Sequence, residues 1–119
     1  MKALFDTNIL VDFLQGRPEA KRELALYDDP AISVICWMEV MIGATAEAAV
    51  GTRAFLSQFE VIGVDDTIAE LAVELRRRHR IKLPDAIVWA SARQRGCLLV
   101  TRNTRDFPAG DPGVRAPYT

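Results

Sequence analysis

Asp6, Glu39, Asp85 and Asp106 are the residues of this chain whose types and spacing could do chemistry. Asp6 closes the apolar run Ala3-Leu4-Phe5, Glu39 stands in the segment that follows Ala31 to Ile35, Asp85 comes directly after Pro84, and Asp106 lies just beyond Cys97 to Thr101. A carboxylate at the end of one buried run after another is the pattern of a ligand crevice along the carboxyl edge of a parallel sheet. With no His or Cys in range, such a group suits a hard cation, Mg²⁺ or Mn²⁺, and disfavours zinc. These ions lower the pKa of a bound water and offset charge on the attacked and leaving oxygens of a phosphodiester, so hydrolysis of nucleic acid is the natural reaction class.

Each acid also has a plainer explanation. Asp6 could be a helix N-cap, Asp85 an acid at a positive helix pole, and Asp106 a turn residue. Asparagine caps about as well as aspartate, so Asp6→Asn is expected to relieve charge repulsion with the cap retained. Glu39 is different, because Cys36, Trp37, Met38, Val40, Met41 and Ile42 leave its helix almost no polar face. A helix apolar all round is expected to be buried, and a buried carboxylate is costly unless paired or bound to a cation. No Lys or Arg lies within ten residues of it. A metal ion, or an arginine from elsewhere in the fold, would have to compensate it.

The elements that must position these acids follow from periodicity. Ala3 to Phe5 is predicted as a first strand, followed by a helix with Ile9, Leu10, Phe13 and Leu14 at helical spacing. Gly16-Arg17-Pro18 breaks it. Glu19 to Tyr27 reads as a short helix, Ala31 to Ile35 as a second strand, Cys36 to Ala44 as the apolar helix around Glu39, and Ala46 to Phe59 as an alanine-rich helix. Phe59 to Val64 is expected to be a third strand. Asp65 or Asp66 then caps a helix from Thr67 to His79, and Pro84 opens another that stops at Gly96. Cys97 to Thr101 is a fourth strand, with a short edge strand near Val114 to Ala116. Strands that are short continuous apolar runs alternating with helices predict a doubly wound α/β domain with a parallel sheet covered on both faces.

At 119 residues, half of them hydrophobic, the chain fits one domain, 1–119. Its two cysteines lack CxxC spacing and read as buried thiols of a reduced, cytoplasmic protein. No run approaches the roughly 20 apolar residues of a membrane span, and Asp6 and Asp12 interrupt any leader-like segment. The net charge of −1 argues against a generic polyanion binder. Distribution matters more, because Arg76, Arg77, Arg78, Arg80 and Lys82 form one basic run, either a solvated helix end or a nucleic-acid contact. His79, the single histidine, lacks a partner for a triad or ligand cluster and reads as a solvated helix-end residue, while Trp37 and Trp89 read as core or dimer-interface residues.

The segments FDTNIL, WMEVMIG, KLPDAIVWASA and LLVTRNTRDF, in this order and across essentially the whole chain, closely resemble the PIN-domain ribonucleases, in particular the VapC-type toxins of prokaryotic toxin-antitoxin pairs. The resemblance implies a Rossmann-like three-layer α/β/α sandwich with a mainly parallel four- to five-stranded sheet. It also implies Mg²⁺- or Mn²⁺-dependent endoribonuclease activity on RNA, a homodimer, and inhibition by a small cognate antitoxin. Carried over residue by residue, it makes Asp6, Glu39, Asp85 and Asp106 the acidic metal site, flanked by Asn8, Thr101 and Asn103, with Asn103 as an alternative to Asp106 for the fourth ligand. Where the family has a small or hydroxylated residue shortly before the glutamate, this chain has Cys36-Trp37. A cluster of carboxylates beside apolar helices would also suit an arginine-bearing amphipathic peptide. Two other readings compete. A non-catalytic RNA- or protein-binding module of the same fold would be expected to lose acids, and all four are present. A phosphoacceptor receiver needs a late lysine, and none follows Lys82.

Overall fold

The computed structural model describes residues 2–119. Among these, five strands form one sheet in the order β3-β2-β1-β4-β5, every neighbouring pair parallel. In chain order the elements are β1 (Ala3–Phe5), α1 (Thr7–Leu14), α2 (Pro18–Leu24), β2 (Pro30–Ser33), α3 (Val34–Gly43), α4 (Ala49–Leu56), β3 (Glu60–Ile62), α5 (Asp66–His79), α6 (Leu83–Gln94), β4 (Leu98–Val100) and β5 (Val114–Arg115). The expected Rossmann-like α/β/α sandwich is what the chain forms. No described helix is long and apolar enough to cross a membrane.

β1 is the centre of the sheet, which is why Ala3, Leu4 and Phe5 are wholly buried and carry no polar alternation. From β1 the chain builds outward through β2 and β3, then crosses back to lay β4 against the other side of β1. The reversal in strand order falls between β1 and β4, so their carboxyl ends, at Phe5 and Val100, flank the crevice that such a topology leaves open. Phe5 fastens the sheet to its cover edge-on, with its ring centroid 5.6 Å from Tyr27 and 6.2 Å from Phe59.

Several boundaries differ from the periodicity. The second strand stops at Ser33 instead of Ile35, because the Ser33 hydroxyl accepts the Ile35 N–H at 3.1 Å and caps α3 two residues early. Val34 and Ile35 are β-branched yet helical, a case of a cap overriding propensity. α2 starts at Pro18, where proline's fixed φ suits the first turn, and ends at Leu24 before Tyr27. α4 is shorter than the alanine-rich stretch suggested, and Gly96, at φ +62, terminates the last helix as expected. The α5–α6 connection is tight. Arg80 closes α5 in the left-handed conformation and donates its N–H to Arg76 O at 2.8 Å, while Ile81 is buried.

Trp89 on α6 is fully buried, so the core reading of this residue holds. Its ring meets Phe107 edge-on at 5.8 Å and lies 4.6 Å from the His79 ring, with Arg93 stacked at 4.8 Å. The His79 imidazole is thus exposed on one side and packed on the other. Cys36 and Cys97 are buried free thiols, as expected.

The edge strand β5 is tied down by charge. Glu23 on α2 is only 4% exposed and accepts a fork from Arg115, Nε to Oε2 at 2.6 Å and Nη2 to Oε1 at 2.9 Å, plus the Tyr27 hydroxyl at 3.0 Å. Arg115's hydrogen bonds hold the Glu23 carboxyl below its ordinary range against the opposing effect of burial. A depressed carboxylate adds stability that is present above the unfolded pKa and lost as pH falls through the folded one. Glu23→Gln is therefore expected to cost about 2 kcal/mol at pH 7, the scale of a charge-assisted hydrogen bond. Denaturant titrations should show that penalty shrinking as pH drops below about 4.3. A penalty that stays constant down to pH 3 would mean that the pair acts by shape and not by charge.

Candidate functional site

Asp6 sits at the junction of β1 and α1. Its backbone is extended, and its N–H donates to Val100 O at 3.0 Å, carrying the β1–β4 ladder one step past the strands. The side chain is 5% exposed and fully engaged. Oδ1 accepts the Thr7 N–H at 2.8 Å, and Oδ2 accepts the Thr101 hydroxyl at 2.8 Å and the Asn8 amide at 3.2 Å. This is not an ordinary cap, in which the side chain would reach the second or third helical N–H. The expectation that asparagine would serve equally well here is corrected: an amide nitrogen in place of Oδ2 would face the Asn8 Nδ2 donor. Burial pushes the Asp6 carboxyl up, its three donors push back, and the charge of Glu39 adds to the rise.

Glu39 is placed differently from the prediction. It is exposed, because α3 buries only Cys36 and Val40 while Met38 is half-exposed and Ile42 is 84% exposed. The uniform apolarity of α3 reflects an open apolar surface, not a helix sealed in the core. Glu39 is still directed at the crevice, since the Thr7 hydroxyl donates to its Oε1 at 2.7 Å. Thr7 thus links Asp6 by its N–H and Glu39 by its hydroxyl. Beside Glu39 a groove of about 270 Å³ opens between α1, α3 and α4, lined by Val11, Leu14, Val40, Ala44, Ala48 and Thr52 among others.

Asp85 and Asp106 are brought in by packing one turn below. Asp85 and Trp89 are four residues apart on α6 and share a face, and Trp89 packs on Phe107, the neighbour of Asp106. Phe107 is completely buried, which pins the loop beyond β4. Within that loop Asn103 Nδ2 donates to Asp106 Oδ2 at 2.9 Å, and the Asp106 N–H donates to Asn103 Oδ1 at 3.2 Å. The Thr101 hydroxyl oxygen accepts the Asn103 N–H at 2.9 Å.

Three of the acids act on the fourth. Asp85 is pushed up to about 6, first by burial, then by the charges of Asp6, Asp106 and Glu39, with Lys82 opposing. Among the described residues no three acidic, His or Cys side chains close into a compact cage. Asp85 is the point at which the charges of Asp6, Glu39 and Asp106 meet, and Asp6 also feels Glu39. Cys36, which stands near the family's small or hydroxylated position, lies beside Asp6, with Sγ 4.0 Å from Asp6 Oδ1. Burial pushes that thiol up, and the charge of Asp6 adds to the rise.

Sequence reasoning missed Thr7 and the buried Asp12. Thr7 was in plain view between two singled-out residues, but a hydroxyl on a helix's first turn has a routine solvated role. Trp37 is half-buried and packs against the core from one side, with the Arg53 guanidinium 5.3 Å from its ring centroid.

The PIN domain family model matches residues 3–111. The chain belongs to the PIN domain family. In a toxin-antitoxin complex from Klebsiella pneumoniae, a chain 51% identical superposes with a TM-score of 0.92, covering 98% of each chain. A tRNA(fMet)-specific endonuclease VapC from Salmonella typhimurium is 30% identical over 97% of this PIN chain and 96% of its own length. The Shigella flexneri protein of the same name is 29% identical over 90% of each.

The ring of like charge gives a test that needs no substrate. An acid with a raised pKa keeps its proton to higher pH when folded than when unfolded, so stability falls as pH rises through about 4 to 6. Asp85→Asn removes that cost. In EDTA at pH 7 the variant is expected to melt above wild type by about 4 °C, equivalent to about 1 kcal/mol after solvent screening. The gap should close toward pH 4, and Mg²⁺ should raise wild type more than the variant. A variant that melts below wild type in EDTA, with no differential response to Mg²⁺, would place Asp85 outside the charge ring.

Proposed function

We propose that this chain is a divalent-metal-dependent endoribonuclease acting in the cytoplasm as the toxin of a type II toxin-antitoxin pair. The observation that carries the reading is the placement of Asp85, whose carboxyl is acted on by Asp6, Asp106 and Glu39 together, in a chain of the PIN family. The donor chemistry suits Mg²⁺ or Mn²⁺, because the four acidic side chains offer only carboxylate oxygen, and among the described residues they do not close into a cage, which suits an ion that keeps several waters. When bound, such an ion supplies an activated water and offsets charge on the phosphodiester oxygens.

Asp6, Glu39, Asp85 and Asp106 are the residues that would hold it. Asp6 is the least mobile, with both oxygens fixed by three donors, whereas Glu39 is exposed and tethered only by Thr7. Asn103 orients Asp106, since both ends of its carboxamide are engaged there; this supports Asp106 as the fourth ligand. Asn8 and Thr101 fix the orientation of Asp6. Lys82 stands close enough to act on Asp85, and with the exposed Arg76, Arg77 and Arg80 it would lead an RNA backbone toward the crevice.

The cognate antitoxin belongs to the same reading. The groove between α1, α3 and α4 is mainly apolar and ends at Glu39, a shape and charge suited to an amphipathic segment carrying an arginine. Such a segment would cover the crevice and neutralise its charge. A homodimer is the expected assembly of the toxin.

Purified protein incubated with total RNA and Mg²⁺ should generate new 5′ ends that sequencing can map. EDTA should abolish them, and Asp85→Asn should lower the cleavage rate by at least about 100-fold, the usual scale for losing a group that stabilises transition-state charge. Undiminished cleavage in excess EDTA or by Asp85→Asn would overturn the metal reading.

A further inference from the structure

We propose that Asp12 is the hub of a latch that fixes the Thr101–Asp106 loop over Asp6, making Arg102 and Tyr118 positioning residues for the nuclease reaction; this rests on the function proposed above. Asp12 lies on α1, is 5% exposed, and takes no part in the acid ring. A buried carboxylate needs compensation, and Asp12 receives it from three separate segments. Arg102 forks onto it, Nε to Oδ2 at 2.6 Å and Nη2 to Oδ1 at 3.0 Å. The Tyr118 hydroxyl donates to Oδ2 at 2.9 Å, and Arg17 approaches the same oxygen at 3.6 Å while stacking 4.5 Å from the Tyr118 ring.

Arg102 is the residue between Thr101 and Asn103, and α1 grips it twice. Its backbone N–H donates to Asn8 Oδ1 at 3.1 Å, and its guanidinium is held by Asp12, one turn further along the same helix face. The other end of the Asn8 carboxamide donates to Asp6 Oδ2 and, at 3.3 Å, to the Thr101 hydroxyl oxygen. Main chain and side chain of Arg102 are therefore locked to the helix that starts at Asp6, and the residues on either side of it are Thr101, which touches Asp6, and Asn103, which orients Asp106. A shift of Arg102 would move the Asp106 side of the ring relative to Asp6. Lysine at 102 could keep the charge but not the fork, because its ammonium is a single point donor.

The test compares wild type, Arg102→Lys and Tyr118→Phe in two measurements. In metal-free protein, amide hydrogen exchange at residues 102–107 should accelerate in both variants while Phe5 and Val100 keep their protection. In cleavage of a defined RNA with Mg²⁺, kcat should fall roughly 10- to 100-fold for Arg102→Lys and less for Tyr118→Phe, with KM little changed, the usual scale for losing a residue that orients a metal-holding group. A raised KM with unchanged kcat and a shallower salt dependence would instead make Arg102 a contact to the RNA backbone and overturn the latch. Faster loop exchange with unchanged kcat per folded molecule would reduce the network to a stabilising contact and overturn it equally. If Arg102→Lys does not fold, Tyr118→Phe carries the same readouts with its ring still available to Arg17. Should wild type itself cleave no RNA, the functional reading fails separately. Exchange at 102–107 then tests the tether between the loop and α1 by itself: acceleration keeps the tether without a role in the reaction, and unchanged protection removes both.

Discussion

The structure turns on the Asp6 carboxylate, a charge held almost out of water at the end of the central strand. Burying an isolated carboxylate is costly, and among the described residues nothing cationic touches Asp6. It is kept in place by hydrogen bonds alone, from a backbone N–H on one oxygen and a hydroxyl and an amide on the other. Thr7 and Asn8 are local, but Thr101 lies beyond a different strand. The contact between Asp6 and Thr101 is possible only because β1 and β4 are neighbours in register, with Phe5 opposite Val100. Sheet topology and site geometry are therefore one requirement, and a slip of β4 by one residue would turn the Thr101 side chain to the other face of the sheet.

Around this fixed point the other acids are held with decreasing rigidity. Asp106 is braced by Asn103 and anchored through Phe107, Asp85 rides on α6 one turn from Trp89, and Glu39 has a single hydroxyl as tether. Several cationic side chains of the structure are committed away from the crevice. Arg102 is committed to Asp12, Arg115 to Glu23, and Lys2 and Arg95 both pair with Glu60 at the opposite end of the sheet. None of these pairs draws a cation to the four acids, while Lys82 offsets part of the charge at Asp85.

Much of this was legible in the sequence, and the exceptions share a cause. The strands Ala3–Phe5 and Leu98–Val100 announced themselves as continuous apolar runs, and the carboxylates picked out after such runs include Asp85 and the three acids whose charges act on it. Periodicity, however, reports which face of an element avoids water, not what the face meets. It read α3 as sealed, when Met38 and Ile42 line an open apolar surface and Glu39 looks outward. It could not see Asp12 with Arg102, because ion pairs between residues 90 apart leave no local pattern. Ser33 shifted a strand boundary by two residues through one side-chain hydrogen bond, a detail that competes with propensity only once the helix is formed.

The separation in sequence between Asp6 and Thr101, 95 residues, has a consequence for the making of the protein. Parallel strands joined by crossovers are dominated by non-local contacts, which form late. A growing chain that has exposed β1, α1, β2 and even β3 has a carboxylate with two local donors and no crevice, because the opposite wall has yet to be synthesised. The crevice is therefore completed only when β4 docks, and not by degrees as helices accumulate. If the chain cuts RNA as proposed, the winding of the sheet would act as a timer that keeps the nascent chain inert among the polymers it is translated beside.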